Sequence, residues 1–234
     1  MIYTFDGRIR FSEVDSEGYL RCDNFINYFQ DCSTLQSESL GVGVEALHEK
    51  NLVWVLSTWQ IDVLRYPKLG EKIVIGTFPY EYKGFFAKRN FIMKTADGEV
   101  LAMADTLWTL LNYKESKPAR ITPEVVQGFV LEEKLDMENI KGRIVIPEDI
   151  ETKEKLIVSQ AHIDANMHVN NGQYVKMIFD KLPIEDYKRL RVEYRNMARL
   201  DEEVSVCYKQ TDRSVVGLIK DSEGNSCAVM EFSR

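Results

Sequence analysis

Ile9 and Phe11 alternate with Arg8 and Arg10, a period of two that predicts a half-buried strand near the start of the chain. The period then lengthens. Phe25, Phe29, Cys32 and Gln36 fall on one helical face with Ile26 and Leu40 beside it, Asp23 or Asn24 is placed to cap that helix, and Gly41 to end it. Residues 53–66, 72–82, 85–95 and 100–112 follow, rich in β-branched and aromatic side chains and punctuated by Pro67, Gly70, Gly84 and Asp97-Gly98. One helix followed by a run of long antiparallel strands predicts an α+β layer with the sheet wrapped against the helix. From Tyr113 to Lys155 the pattern loosens around Pro118, Pro123 and Pro147, which predicts a crossover linker with room for one short helix.

The first plan then repeats. Residues 156–158 read as a short strand, a polar cluster leads into a helix with Tyr174, Val175, Ile178, Phe179 and Leu182 at helical spacing, and three or four strands close the chain. Residues 61–71 (IDVLRYPKLGE) line up with 192–202 (VEYRNMARLDE). Asp97-Gly98-Glu99 followed by Leu101-Ala102-Met103 echoes Glu223-Gly224-Asn225 followed by Cys227-Ala228-Val229. Order and spacing agree across several elements, so two copies of one unit are expected: residues 1–115, a linker over 116–154, and residues 155–234.

Composition narrows the class. At 234 residues the chain is long enough to bury a core without metal or disulfide staples, and 44% apolar with 29% charged residues is ordinary for a globular protein. A formal net charge of −7 argues against non-specific nucleic-acid binding, which needs a positive field to release counterions. The four cysteines (Cys22, Cys32, Cys207, Cys227) show no C-x-x-C spacing and read as reduced, buried thiols. No apolar run approaches the roughly 20 residues that cross a bilayer, and the first residues show no signal or transit character. The expected compartment is the cytoplasm, with no membrane partner.

The candidate chemistry lies in residues 162–175, His-Ile-Asp-Ala-Asn-Met-His-Val-Asn-Asn-Gly-Gln-Tyr-Val, which hold two of the chain's three histidines, an aspartate and three asparagines. Imidazole titrates near neutral pH, and amides fix hydrogen-bond geometry. Asn170 or Asn171 is placed as the cap of the following helix, so the cluster approaches a helix N-terminus whose unpaired N–H groups favour developing negative charge. The first copy has Tyr19 in the corresponding stretch and no histidine, so chemistry is expected in one half only. His162 and His48 read as structural, and Asn170, Asn171 and Tyr174 as capping and packing groups. His162, Asp164 and His168 match no familiar metal-ligand spacing, so no metal is expected.

Asp164-x-Asn166-x-His168-Val169-Asn170-Asn171-x-x-Tyr174 resembles the signature of acyl-acyl carrier protein thioesterases, and Val192-Glu193-Tyr194-Arg195 resembles the strand that follows it there. The resemblance covers most of the chain. It implies two tandem hot-dog units, each a long helix wrapped by an antiparallel sheet, the first shaping an acyl-chain pocket and the second catalytic. It also implies hydrolysis of the thioester that joins a fatty acyl chain to the phosphopantetheine arm of acyl carrier protein, in a bacterial branch of the family. No separate cofactor is implied, because the phosphopantetheine arrives on the substrate. Carried over by position, the catalytic set is Asp164, Asn166 and His168. The family often places a Glu and then a Cys after the Tyr-Arg-x, where this chain has Met197 and Ala198. A cysteine nucleophile at that place is therefore unsupported. Glu193, two residues before Arg195, is the candidate substitute carboxylate.

Direct attack by water, with His168 as general base, follows from that set. The resemblance also implies that some of Trp54, Trp59, Trp108, Phe85, Phe86 and Met103 line the acyl tunnel, although core packing accounts for most such residues. Lys83, Lys88 and Arg89, together with Lys176, Lys181, Lys188, Arg189, Arg191, Arg195 and Arg199, are candidates for a basic face toward an acidic carrier protein. Two other functions fit the same residues: a hot-dog acyl-coenzyme A thioesterase, and a non-catalytic acyl-binding protein. Either a monomer or a homodimer is compatible, since two fused units supply the pairing that single hot dogs obtain by dimerising.

Overall fold

The computed structural model describes residues 2–164, 167–183 and 187–234. Its elements in order are β1 (Tyr3–Arg8), α1 (Cys22–Ser39), α2 (Val44–Glu49), β2 (Leu52–Val63), β3 (Lys72–Lys83), β4 (Phe86–Thr95), β5 (Val100–Asn112), β6 (Lys117–Pro118), β7 (Glu151–Ile157), α3 (Asn171–Phe179), β8 (Arg189–Tyr194), β9 (Glu203–Gln210), β10 (Ser214–Lys220) and β11 (Ser226–Ser233). The chain divides into two compact units, Met1–Leu20 with Asn27–Asn139, and Arg21–Ile26 with Ile140–Arg234. Among the described residues, no helix is long and apolar enough to cross a membrane.

In the first unit the strands run β1-β3-β4-β5-β2, all antiparallel, with β6 also paired to β5. The predicted helical face is the buried one: Phe25, Phe29, Cys32 and Gln36 are all withdrawn from solvent. Phe29 stacks on Trp59 of β2 and lies against Phe91 of β4, with ring centroids 6.0 Å and 5.4 Å away. In the second unit the order is β8-β11-β10-β9-β7, again antiparallel, and α3 packs on β9 and β10. Each unit is thus a helix held in the curve of an antiparallel sheet, the hot-dog arrangement.

The duplication extends to single hydrogen bonds. Leu64 and Arg65 donate their N–H groups to the Leu101 carbonyl at 2.9 and 3.2 Å, while Arg195 and Asn196 donate to that of Cys227 at 2.8 and 3.3 Å. Ile9 N–H reaches the Glu71 carbonyl at 3.0 Å, as Val158 N–H reaches that of Glu202 at 2.9 Å. The two glycine turns also match, since Gly98 donates to Thr95 and Gly224 to Asp221, both glycines at positive φ.

Three expectations are corrected. The first strand is Tyr3–Arg8 and ends before the alternation does: Phe11 lies in a short 3-10 turn and is 82% exposed. The stretch expected as linker, 116–154, divides between the units and contains no helix. Val125 packs with Leu47 and Leu110 in the first unit, and Ile144 with Cys207, Leu218 and Val229 in the second. The strand expected at 156–158 is the longer Glu151–Ile157. Phe85 and Phe86, named among the residues for core or tunnel, form a part-exposed ring pair at the β3–β4 hairpin.

Candidate active site

The site is built on a tight turn. Ile163 and Val169 form an isolated bridge, and Asp164 N–H donates to the His168 carbonyl at 2.8 Å. Met167 N–H donates back to the Asp164 carbonyl at 3.0 Å, and the His168 amide approaches Asp164 Oδ1 at 3.4 Å. The Asp164 carboxylate thus accepts across the turn that carries His168. Met167 closes this turn with φ of +62°, a left-handed conformation unfavourable for a side chain with a Cβ. The first unit has the same turn without the imidazole. Asp15 N–H donates to the Tyr19 carbonyl at 2.8 Å, Asp15 Oδ1 accepts from the amides of Glu17 and Tyr19, and Gly18 holds the positive φ. Tyr19 stands where the second unit has His168.

Beyond the turn, Asn170 caps α3, its side-chain oxygen accepting from Gly172 N–H at 2.9 Å. The cap places the positive end of the helix dipole immediately after His168. Asn171 accepts the Tyr194 hydroxyl on its carbonyl at 2.9 Å, and Tyr174 Oη accepts from Ala198 N–H at 2.8 Å. These hydrogen bonds and the Tyr174–Tyr194 ring contact at 6.0 Å tie the first turn of α3 to the end of β8. Burial, the larger effect, raises the Tyr174 hydroxyl pKa even though the Ala198 amide lowers it, so Tyr174 stays protonated at neutral pH.

Of the residues singled out from sequence, His168 and Asp164 are brought together by this turn, and Asn166 lies outside the described residues. His162 faces back: its Nδ1 accepts from Ser159 N–H at 2.9 Å and closes a 3-10 turn, which leaves the proton of the neutral ring on Nε2. Glu193 is engaged through both oxygens, accepting from Ile144 N–H at 2.5 Å and Arg195 Nη2 at 2.7 Å. It points to the opposite side of β8 from Tyr194, since successive strand residues alternate faces. Strand β8 ends at Tyr194, so Met197 is in the following loop, half exposed, and Ala198 is buried. Among the described residues no cluster of three or more His, Cys, Asp or Glu could hold a metal ion.

Of the residues expected on a basic face, Arg89 is the one corrected, since it is buried. Arg191 is spent on Glu231 and the Gly142 carbonyl, and Lys176, Lys181 and Lys88 pair with Asp180, Glu154 and Glu81.

Two family models match in tandem: the acyl-ACP thioesterase N-terminal domain over residues 2–129 and the acyl-ACP thioesterase C-terminal domain over residues 147–230. Among curated relatives, the chloroplastic acyl-[acyl-carrier-protein] hydrolase FATB3 of Cuphea viscosissima is 26% identical over 82% of this chain and 51% of its own length. The chloroplastic palmitoyl-acyl carrier protein thioesterase of Gossypium hirsutum is 24% identical over 96% of this chain and 59% of its own. The chain therefore spans between half and three-fifths of these relatives. An acyl-ACP thioesterase structure from Bacteroides thetaiotaomicron superposes with a TM-score of 0.90 at 24% identity, covering 99% of this chain and 97% of that one. The 12:0-ACP thioesterase from Umbellularia californica gives 0.86 at 20% identity, covering 99% and 96%. With both family models matched in order and the first covering more than half of the residues, the chain belongs to the acyl-ACP thioesterase family.

Proposed function

We propose that the chain hydrolyses the thioester of fatty acyl-acyl carrier protein, releasing a free fatty acid and thereby ending fatty acid synthesis on that carrier. The observation that carries this reading is the turn that presents His168 at the capped N-terminus of α3, in the half where the family signature falls and not in its twin. His168 takes the proton of an attacking water, a contribution of about 10²–10⁴-fold. Asp164 positions it by holding the turn closed, and Asn166 holds the water or the thioester oxygen. The dipole end of α3 faces the developing oxyanion, where a single donor is worth roughly 10²–10³-fold. Glu193 stays outside the proton-transfer set because both its oxygens are engaged. Acyl carrier protein brings the phosphopantetheine, so no resident cofactor takes part. A cytoplasmic setting belongs to the same proposal and rests on four buried cysteines held as thiols.

The test is release of thiol from one acyl group presented on acyl carrier protein and on coenzyme A. Faster turnover on the carrier protein is expected, with kcat lowered about 10²–10⁴-fold in His168→Ala and Asn166→Ala at unchanged circular dichroism. Preference for coenzyme A would make the chain an acyl-CoA thioesterase. Wild-type rates in both variants would overturn the site, and no thiol release from either carrier would leave an acyl-binding protein.

A further inference from the structure

One end of the first unit's sheet gathers most of the rings that the fold leaves in water. Among the described residues four aromatic side chains are exposed, Phe11, Phe85, Phe86 and Tyr113, and the last three share that end. Lys83 pairs with Phe86 across the β3–β4 hairpin, Phe86 pairs with Thr109 of β5, and the Leu110 amide donates to the Phe85 carbonyl at 2.9 Å. Strand β5 ends at Asn112, opposite Leu52 and Lys117, and leads into the turn that carries Tyr113. Phe85, Phe86 and Tyr113 are 37%, 38% and 43% exposed, whereas Phe29, Phe78, Phe91 and Trp59 of the same unit are at most 1% exposed.

The hairpin does not need an aromatic tip to close. Its counterpart in the second unit, β9–β10, turns through Thr211, Asp212, Arg213 and Ser214, with Thr211 Oγ1 accepting from the Ser214 amide at 3.1 Å. Where that turn is polar throughout, the first unit sets two phenyl rings side by side, their centroids 4.3 Å apart. Adjacent apolar side chains left in water mark a contact surface more often than a scattered one does.

The same end is basic. Lys50, Lys83, Lys114, Lys117 and Arg120 are exposed, and none forms an ion pair with another described residue. Arg120 is placed there by its neighbours, since Ala119 N–H donates to the Leu110 carbonyl and Ile121 N–H to that of Gly84, both at 2.9 Å. Lys50 is placed by Asn51, whose carbonyl accepts from Tyr113 N–H at 3.1 Å. Against these five cations stand three carboxylates, Glu49, Glu115 and Glu124, a local surplus of two positive charges in a chain of formal charge −7.

We propose that this end of the first unit is a peripheral docking surface for an anionic lipid bilayer. Phe85 and Phe86 enter the headgroup boundary, Tyr113 sits at its level, and the cations lie over the lipid phosphates. Such a contact needs no spanning helix, only apolar side chains and a positive field at one surface. Four of the cations are lysines, point charges on flexible stems, and they come from three separate segments; mobile headgroups accept that arrangement, whereas a fixed protein partner calls for matched geometry. The proposal is independent of the thioesterase chemistry.

The test is sedimentation of the intact chain with vesicles of phosphatidylcholine alone and of phosphatidylcholine and phosphatidylglycerol in equal parts. Binding to the anionic vesicles is expected to be about tenfold or more tighter than to the neutral ones, and to weaken as salt is raised. Each cation near an anionic surface contributes roughly fivefold, so Lys83→Glu, Lys114→Glu and Arg120→Glu together are expected to lower partitioning about 10²-fold or more. Phe85→Ser with Phe86→Ser, which makes the tip as polar as that of the second unit, is expected to lower it about tenfold at an unchanged urea midpoint. If the serine variant does not fold, the charge reversal, confined to exposed side chains, carries the test alone. Equal binding to both vesicles, or wild-type partitioning in the variants, would overturn the proposal. So would a wild type that ignores vesicles; if the charge reversal then slowed turnover on carrier-bound substrate and not on coenzyme A, this end would be a face for acyl carrier protein instead.

Discussion

Gly217 in β10 sets how closely α3 approaches its sheet. A methyl at that position would stand 2.9 Å from both Cγ1 and Cγ2 of Ile178 and 3.0 Å from Met230 Cγ. Carbon contacts settle at about 3.5–4.0 Å, so a shift of roughly 0.6–1 Å is required. Ile178 is fully buried, and a β-branched side chain in a helix has one strongly preferred rotamer, so the helix itself must move. Overpacking of this kind costs about 1–3 kcal/mol, and removing a glycine from a strand returns about 0.5–1 kcal/mol. Gly217→Ala is therefore expected to destabilise by about 1–2 kcal/mol. Because α3 begins at the Asn170 cap, the same shift displaces the turn that carries His168, and on the proposed function misplacement near 1 Å costs up to about 10²-fold in kcat. Ile178→Ala alone should cost about 2–5 kcal/mol through its cavity, and Gly217→Ala in that background should cost nothing or stabilise, because the methyl enters vacated space. Urea unfolding is followed by circular dichroism, since all three tryptophans lie in the first unit and would not report on the second. Additivity of the two substitutions within about 0.5 kcal/mol would refute the close-approach argument, because contacting residues couple by about 0.5–3 kcal/mol.

Met167→Gly should be neutral or stabilise by up to about 1 kcal/mol. The left-handed conformation costs an L-residue about 1–2 kcal/mol, partly offset by glycine's freer unfolded chain, and Met167 is mostly exposed. A shift of the urea midpoint to clearly lower concentration would show that the Met167 side chain holds the turn. All four thiols are buried, and burial raises Cys32 to about 12 and Cys227 to about 11, so the native protein should keep its thiols and its activity in N-ethylmaleimide at pH 8. Inactivation in step with loss of one thiol would contradict a cysteine-independent mechanism.

The elements legible in the sequence are those whose side chains repeat with a single period. Strands β2 to β5 fall within about three residues of expectation, and the face of α1 falls on the predicted residues, because each buries one periodic stripe. The alternation through Arg8–Phe11 misleads because a 3-10 turn follows β1. There Glu13 closes the turn by accepting from Arg10 N–H at 2.8 Å, a tie with no periodic signature. Residues 116–154 carry no periodic signal because extended chain can pack without pairing. The Leu135 amide is satisfied by Asn90 Oδ1 at 2.9 Å, and Ile144 N–H by Glu193, contacts made across long sequence separations. Arg89 reads as surface for a related reason: arginine is rarely buried, and no composition rule marks the exception.

The duplicated turn sorts the residues of the signature in a way that sequence spacing does not. Features present in both units belong to the scaffold: the aspartate at the start of the turn, its backbone pair four residues on, and the positive φ between. Asp15 does this work beside Tyr19 in a turn with no histidine, so Asp164 needs no chemical role to explain its presence. On the proposed function, what differs between the two turns is what the chemistry would require: imidazole in place of phenol at His168, and Asn170 as helix cap where Arg21 precedes α1. Tyr19 also sits under the Lys68 ammonium, 5.2 Å from its ring centroid, a packing use of the position that an imidazole serving as a proton acceptor would not share. If the proposed mechanism holds, the signature is part scaffold and part reagent, with Asp164 on the scaffold side and His168 on the reagent side.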